Sequence, residues 1–399
     1  MNIFVIPGLA LGALAQNKLR RRLTMLATAV AALTAMPRAA DVPLTLVKSI
    51  ELPNVEGRLD HLAFDPRTQR LLVSALGNNT VEVLNMKAEE HLTSLRGFAE
   101  PQGIAVVPDA RTLAVANRRS GQVQLLNADD YRHGPVLHPG DNADNVRYDA
   151  AANRLYVGFG SGAIGAIDAR DGRLLGQVAL TGHPESFQLE HSGPRMFVNV
   201  PTADQIAVID RTSMKALSTW HVAGAGACFP MALDEVNHRL FIGCRRPAKA
   251  MVFDTSNGRE VSSFEIVGDT DDLFYDAVRK RLYISGGEGF IDVIEEQRPN
   301  SFTRIAHVPT ASGARTGLFV ADQESELVVR DVFTPSLIVR LVELADAGIT
   351  VEFETGALVC SVRGHSGDPG LLDALAEISA AVADALCAAS ITPSQAQAS

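Results

Sequence analysis

Side chains able to do chemistry recur in seven short segments of this sequence. These segments are 57–61, 100–103, 141–147, 183–187, 226–230, 268–274 and 313–317. Five of them hold carboxylates, and the candidate ligand-binding side chains are Asp60, His61, Gln102, Asp144, Asn145, His183, Glu185, Asp271, Asp272 and Arg315. Carboxylates that converge without a cation raise one another's pKa, so clustering here would indicate a cation, a ligand or the Arg315 side chain as partner.

A hard divalent cation such as Ca²⁺ or Mg²⁺ fits an oxygen-rich set of this kind. Its predicted ligands are Asp144, Glu185 and Asp272, taken from different segments. Such an ion could polarise a carbonyl and lower the pKa of a water molecule, as a lactonase-like hydrolase would require. The alternative is that these residues only cap turns and bind exposed backbone groups at strand ends.

The elements that must position these side chains follow from an internal repeat. The second strand of each unit begins near Leu71, Leu113, Leu155, Met196, Leu240, Leu282 and Leu327, at intervals of 42, 42, 41, 44, 42 and 45 residues. Each of the first six units holds four short runs rich in β-branched residues, separated by turns that often start with Asp, such as Asp65 and Asp149. Four antiparallel strands in about 42 residues are typical of a propeller blade.

The fold predicted from this pattern is all-β, a seven-bladed β-propeller over residues 41–344. The seventh repeat lacks a fourth strand, and the run at 44–52 is an unattached strand of suitable length. We therefore predict that residues 44–52 complete the last blade beside 336–343, because closing the ring shields both edge strands. The first strand of each blade should line the central channel, where the seven segments converge.

The repeats resemble the YVTN-type β-propeller family of exported bacterial proteins, which is also described as DNA-binding-propeller-like. The motif is clearest in 194–217 and 154–175, with an aromatic-Val pair, a turn and an ending in Ile-Asp. The resemblance spans roughly residues 44–320. It implies the fold rather than an activity, since propellers host many functions.

The two ends of the chain fall outside the repeat. Lys18 and three arginines at 20–22 precede the apolar run 24–36 and two small residues, which is typical of a signal peptide over residues 1–40. A membrane anchor or a disordered leader is the alternative. Residues 345–399 form a C-terminal extension, in which 349–364 suggests a hairpin and the stretch after Asp368 an amphipathic helix. This extension is either a peripheral addition or a tail without function.

The net charge and the motifs of the sequence exclude several classes of ligand and partner. Removing residues 1–40 takes away five basic residues and no acidic one, so the net charge moves from −10 to −15. Such a surface argues against nucleic-acid binding. The mature chain holds no membrane span, and neither haem nor a nucleotide is expected, because CxxCH and phosphate-loop motifs are absent from the sequence. Cys228 and Cys244 would face each other in a hairpin, either as a disulfide or as buried thiols.

Three functions remain open from the sequence. The leading one is a periplasmic or secreted propeller that binds a small molecule or a protein partner at its channel face. The second is a metal-dependent hydrolase or lyase that uses the channel carboxylates. The third is a scaffold for protein interactions whose channel has no ligand.

Overall fold

The computed structural model describes residues 44–109, 111–320, 326–330, 337–342, 349–354 and 357–362. Its first strand is β1 (Thr45–Glu51). Six sheets follow, each of four consecutive antiparallel strands, and we number these sheets blades 1 to 6 in chain order.

The strands of each blade pair in the order of the chain. Blade 1 consists of β2 (Leu62–Asp65), β3 (Arg70–Ala75), β4 (Thr80–Asn85) and β5 (Glu90–Leu95). Blade 2 consists of β6 (Pro101–Val107), β7 (Thr112–Asn117), β8 (Gln122–Asn127) and β9 (His133–Leu137). Blade 3 consists of β10 (Val146–Asp149), β11 (Arg154–Phe159), β12 (Ala163–Asp168) and β13 (Leu174–Ala179). Blade 4 consists of β14 (Phe187–Leu189), β15 (Arg195–Val200), β16 (Gln205–Asp210) and β17 (Lys215–His221). Blade 5 consists of β18 (Gly226–Asp234), β19 (Arg239–Arg246), β20 (Ala248–Asp254) and β21 (Glu260–Glu265). Blade 6 consists of β22 (Thr270–Asp276), β23 (Arg281–Gly286), β24 (Phe290–Arg298) and β25 (Ser301–Pro309).

The core lies between neighbouring blades. The two middle strands of a blade are buried on both faces, whereas the fourth strand is largely exposed, as β3 and β5 illustrate. One apolar cluster joins Val107 of blade 2 to Leu155 and Val157 of blade 3. Each blade therefore buries its faces only by packing on the next, as expected for a repeat architecture.

A seventh four-stranded sheet, which we call the closing sheet, joins the two ends of the propeller. It contains β26 (Gly317–Val320), β27 (Glu326–Arg330) and β28 (Leu337–Val342), with β1 antiparallel to β28. Ser49 lies opposite Val339, so residues 44–52 pair with the segment that the sequence predicted. The innermost strand β26 contacts both β22 and β2, which completes the ring around the channel.

The predicted fold class, seven blades with a C-terminal helix, is nevertheless wrong in two respects. The propeller has six blades of four consecutive strands, not seven. The closing sheet is built differently, because the repeat fades after Val320 and its fourth strand comes from the opposite end of the domain. The described residues contain no α-helix, only the 3₁₀ turns Leu76–Asn78 and Pro201–Ala203, and the helix predicted after Asp368 lies outside them.

The C-terminal extension contributes one described element. Strands β29 (Ile349–Glu354) and β30 (Ala357–Val362) form an antiparallel hairpin, as the sequence predicted. This hairpin belongs to a different compact unit from residues 43–346. No helix in the described part of the chain is long and apolar enough to cross a membrane. The predicted signal peptide, residues 1–40, lies outside the described residues.

Asp residues begin the turns between the first and second strands, as predicted. Asp65 Oδ1 accepts a hydrogen bond from the Arg67 N–H at 3.0 Å, and Asp276 Oδ1 accepts one from the Val278 N–H at 2.8 Å. These side chains replace the backbone partners that the turn leaves unpaired. Such carboxylates have a structural role and are separate from those at the channel.

A disulfide joins Cys228 of β18 to Cys244 of β19, which are direct cross-strand partners. This settles the alternative that the sequence left open. Both cysteines are buried, and the bond closes a loop with a sequence separation of 16.

Replacing both cysteines by serine should lower the free energy of unfolding by about 3 kcal/mol, the value expected for a loop of this length. Denaturant unfolding of the variant against the wild type measures this change. Alkylation of Cys228 in the folded, unreduced wild type would contradict the disulfide itself.

Candidate functional site

A small cavity lies at the channel mouth, where the leading segments of the blades converge. Its volume is about 40 Å³, which is room for about three water molecules. All six blades and the closing sheet contribute to its lining: Arg58, Asp60, His61, Gln102, Asp144, Asn145, Glu185, Ser186, Phe229, Asp271, Asp272 and Thr316.

One position of the repeat supplies most of this lining. In each unit the residue eleven positions before the first Leu or Met of the second strand reaches the cavity, as Asp60 does before Leu71 and Asp144 before Leu155. The full set is Asp60, Gln102, Asp144, Glu185, Phe229, Asp271 and Thr316. The fold therefore turns a linear repeat into a ring of side chains that face one another.

Irregular strand pairing aims several of these side chains. In β6, β18 and β22 the register shifts at the channel end, between Pro101 and Ile104, between Cys228 and Met231, and between Thr270 and Asp272. Gln102, Phe229 and Asp271 lie within these β-bulges. A bulge bends its strand and redirects the extra side chain, which is why bulges are frequent beside binding sites.

Asp60 and its neighbours form one side of the cavity. The Asp60 Oδ2 atom accepts hydrogen bonds from Arg58 Nη2 at 3.0 Å and from Gln102 Nε2 at 3.2 Å. His61 Nε2 lies 3.8 Å from Asp60 and 4.0 Å from Asp144. Burial raises the pKa of Asp60, although the charges of His61 and Arg58 favour its ionised form.

Asp144, His183 and Glu185 form a second group of side chains at the cavity. Their possible ligand atoms all lie within 4.8 Å of one another, and Asp144 is buried. His183 Nε2 is 3.2 Å from Asp144 Oδ2, while His183 Nδ1 is 2.6 Å from the carbonyl oxygen of Gly160. Asn142 also approaches His183 Nδ1, at 3.4 Å.

The protonation of this second group is shifted from ordinary values. Burial and the charge of Asp144 raise the pKa of Glu185 to about 8, so this carboxyl is mostly protonated at neutral pH. Burial disfavours the charged form of His183, but its hydrogen bonds with Asp144 and Gly160 outweigh burial and raise its pKa. At neutral pH the Glu185 carboxyl therefore keeps a proton that an ordinary glutamate side chain would have released.

A third group of carboxylates consists of Asp269 and Asp271, which pair with arginines, and Asp272, which does not pair with one in the described part of the chain. Arg315 bonds to Asp269 at 2.9 Å and to Asp271 at 3.2 Å, and Arg245 Nη2 bonds to Asp271 at 2.5 Å. Asp272 accepts a hydrogen bond from the Gly317 N–H at 2.8 Å, and burial raises its pKa to about 7. Asp271 thus has cationic partners, whereas Asp144 and Glu185 have no arginine hydrogen bond among the described residues.

Two buried amide oxygens at the cavity lack a hydrogen-bond donor among the described residues, Gln102 Oε1 and Asn145 Oδ1. Gln102 is 6 % exposed and Asn145 is 1 % exposed. Leaving such an atom unpaired costs about 1–3 kcal/mol, so each orphan oxygen indicates a missing donor, water or cation.

The structure brings most of the predicted site residues together. Eight of the ten line the cavity: Asp60, His61, Gln102, Asp144, Asn145, Glu185, Asp271 and Asp272. His183 reaches it through Asp144, and Arg315 binds Asp269 and Asp271 instead of lining it. The four other lining residues, Arg58, Ser186, Phe229 and Thr316, were not among the ten predicted ones, and the last two occupy the repeated position eleven residues before the first Leu or Met of the second strand.

A larger open groove, of about 600 Å³, lies on the outer strands of blades 5 and 6. It is lined by Lys249, Arg304 and His307 among others. The nearby carboxylate of Asp292 is saturated, because Arg304, His307 and the Val267 N–H all bind it. None of the described residues that line this groove has a buried polar atom without a partner, so the groove is a weaker candidate than the channel mouth.

Comparison with known proteins supports the fold and nothing finer. No protein-family model and no curated protein match this chain. Among solved structures, Kuenenia stuttgartiensis hydrazine synthase is similar with a TM-score of 0.63 and 14 % identity, over 72 % of this chain and 97 % of that one. A chain of the mitotic checkpoint complex has a TM-score of 0.65 and 13 % identity, over 78 % of this chain and 94 % of its own.

Identities this low show the β-propeller fold alone. The YVTN-type resemblance therefore remains a prediction.

Proposed function

We propose that this protein is a binding propeller whose channel mouth takes a small cationic group. The pair of orphan oxygens, Gln102 Oε1 and Asn145 Oδ1, carries the proposal, because each is buried beside carboxylates and can only accept. A cation, or a donor-rich group such as an ammonium, would satisfy these acceptors and the carboxylates beside them at once.

The size of the cavity supports binding over the other functions. About 40 Å³ admits an ion with a few waters or the tip of a larger ligand, not a whole organic substrate. A ligand would therefore place only its cationic end in the mouth. In a pure scaffold, water molecules alone would have to donate to these two oxygens.

Thermal unfolding with a panel of probes tests this proposal. Methylammonium, putrescine and divalent metal chlorides should raise the melting temperature, whereas neutral sugars should not. A probe present at 100 times its dissociation constant contributes about 2.7 kcal/mol, or roughly 5 °C for a domain of this size. Asp144→Asn should abolish the response.

The matched control for this experiment is Asp171→Asn, which removes an exposed carboxylate outside the channel. It should leave every response intact. Equal stabilisation of the wild type and Asp144→Asn, or no response to any cation, would overturn the binding proposal.

A second candidate is a metal-dependent hydrolase or lyase at the same mouth. One observation favours it: Asp60, Asp144, Glu185 and Asp272 place several carboxylates at one cavity, where some could hold an ion and another act as a general base. A bound ion would supply the polarisation of a carbonyl. Hydrolysis of simple lactones, lost in Glu185→Gln, would support this function, and its absence in the metal-loaded wild type would remove it.

We further propose that the protein works in an oxidising compartment, the periplasm or outside the cell. The Cys228–Cys244 disulfide supports this location, because such bonds persist there and are rare in the cytosol. Recovery of the chain in the cytosolic fraction with Cys228 reduced would contradict it.

A further inference from the structure

We propose that Asp144, His183 and Glu185 bind one first-row divalent transition-metal ion, Zn²⁺ or Mn²⁺. This inference rests on the proposed function, since it names the cation that the channel mouth takes. It differs from the sequence prediction in its third ligand, His183 in place of Asp272, and in the class of ion.

The first argument is the convergence of the three side chains. Each offers one ligand atom, and these atoms lie within 4.8 Å of one another. Three protein ligands with open positions for water are common in sites that hold Zn²⁺ for binding or chemistry. Asp272 is less suited, because the Gly317 N–H already binds its Oδ2 atom.

The second argument is the tautomer of His183. The Gly160 carbonyl oxygen, 2.6 Å from Nδ1, can only accept, so Nδ1 carries the proton. Without a second proton on the ring, Nε2 presents its lone pair to Asp144 Oδ2 at 3.2 Å, acceptor against acceptor. Only a cation or a second proton between the two atoms makes this contact favourable.

This arrangement is the usual one for a metal-bound histidine. Such histidines almost always donate their other ring N–H to a carbonyl or carboxylate, which fixes the ring and raises its basicity. Gly160 supplies that carbonyl here. The imidazole nitrogen also selects the ion, because Ca²⁺ and Mg²⁺ prefer oxygen ligands, whereas imidazole suits transition metals.

The third argument is independent of the three ligands. Asn145 Oδ1, on a residue that is 1 % exposed, faces the same cavity without a donor, as does Gln102 Oε1. Water molecules bound to an ion are strong donors. The two amide oxygens would accept from them and so complete the outer shell of the site.

Metal titration of the full-length protein, stripped with EDTA and desalted, tests the inference. We expect one Zn²⁺ or Mn²⁺ ion to bind per chain. Calorimetry measures the binding of Zn²⁺, and electron paramagnetic resonance measures that of Mn²⁺. Ca²⁺ and Mg²⁺ should bind more weakly. His183→Gln should lower the affinity for Zn²⁺ by more than roughly 10–100-fold, which is the loss expected when only an outer-shell partner is removed.

The matched control is His307→Gln. His307 also bonds to a buried carboxylate, Asp292 at 2.6 Å, but it lies on the outer strand β25. It should leave metal affinity unchanged. Pulsed resonance of Mn²⁺ in the wild type provides a second measurement that needs no variant, since an imidazole ligand gives a ¹⁴N coupling.

Three results would overturn the inference. One is no stoichiometric metal, in which case His183 and Asp144 form a simple ion pair. Another is Ca²⁺ or Mg²⁺ bound as tightly as Zn²⁺ and unaffected by His183→Gln. The third is Mn²⁺ bound without ¹⁴N coupling. If methylammonium or putrescine still stabilised the wild type, the proposed binding function would stand while the metal site failed.

Discussion

A chain that begins at Pro53 should unfold at a melting temperature more than about 10 °C below that of a chain that begins at Pro43. The shorter chain lacks β1 and with it Leu44, Ile50 and Leu52, which are 2 %, 4 % and 0 % exposed. Each buried aliphatic side chain contributes about 1.5–3 kcal/mol. Their sum is a large share of the roughly 5–15 kcal/mol by which a domain is stable.

The same deletion exposes the edge of β28, whose partner β1 would be gone. An open edge invites pairing with another chain, so we also expect the shorter chain to aggregate on heating. Adding back a synthetic peptide of residues 43–52 should restore part of the lost stability. Equal melting temperatures for the two chains would show that β1 does not close the ring.

In the presence of EDTA, the protein should be more stable at pH 5.5 than at pH 8.5. Folding raises the pKa of Glu185 from 4.5 to about 8 and that of Asp272 from 3.8 to about 7. The folded state therefore binds protons that the unfolded state has released, and this stabilisation is lost as the pH rises through the folded pKa values. We expect a loss on the order of 3 kcal/mol, or about 5–10 °C, across this window.

Glu185→Gln tests the origin of this pH dependence. The amide has the shape of the protonated acid and cannot ionise, so the variant should exceed the wild type in melting temperature at pH 8.5 and show a flatter profile. Glu260→Gln, at an exposed position on β21, is the matched control and should retain the wild-type slope. A wild-type melting temperature that rises from pH 5.5 to pH 8.5 would refute the assignment.

The sequence was sufficient for the propeller and for much of the site because both depend on periodicity. A repeat of about 42 residues places equivalent side chains at the same end of every blade, so Asp60, Asp144 and Glu185 had to converge once the ring closed. The role of the turn residues could also be predicted from the sequence, since Asp65 and Asp276 bind backbone N–H groups within their own turns.

What the sequence could not provide was local strand geometry. The bulges at Gln102, Phe229 and Asp271 come from strand pairing, which a single sequence does not display. Phe229 was missed for a different reason: the candidates were chosen for polar side chains, and this residue is apolar although it occupies the repeated position. The number of blades was wrong because seven similar second strands were counted as seven blades, whereas only six sheets consist of four consecutive strands; the origin of the outer strand of the last sheet, residues 44–52, was predicted correctly.

The preference for His183 over Asp272 also depends on detail beyond the sequence. Both lie in leading segments with carboxylates nearby. Only the backbone decides between them, by giving Asp272 a donor from Gly317 and giving His183 an acceptor from Gly160.

The pairing of β1 with β28 sets the order in which the molecule can be assembled. Ser49 is among the first residues of the domain to be synthesised, and its partner Val339 is among the last. Blades built of consecutive strands can form as the chain emerges, but the final closure must bring together the two ends of the domain. Because β28 is synthesised after all six blades, β1 has no strand partner until then, and pairing the two strands costs the chain entropy of closing that long loop.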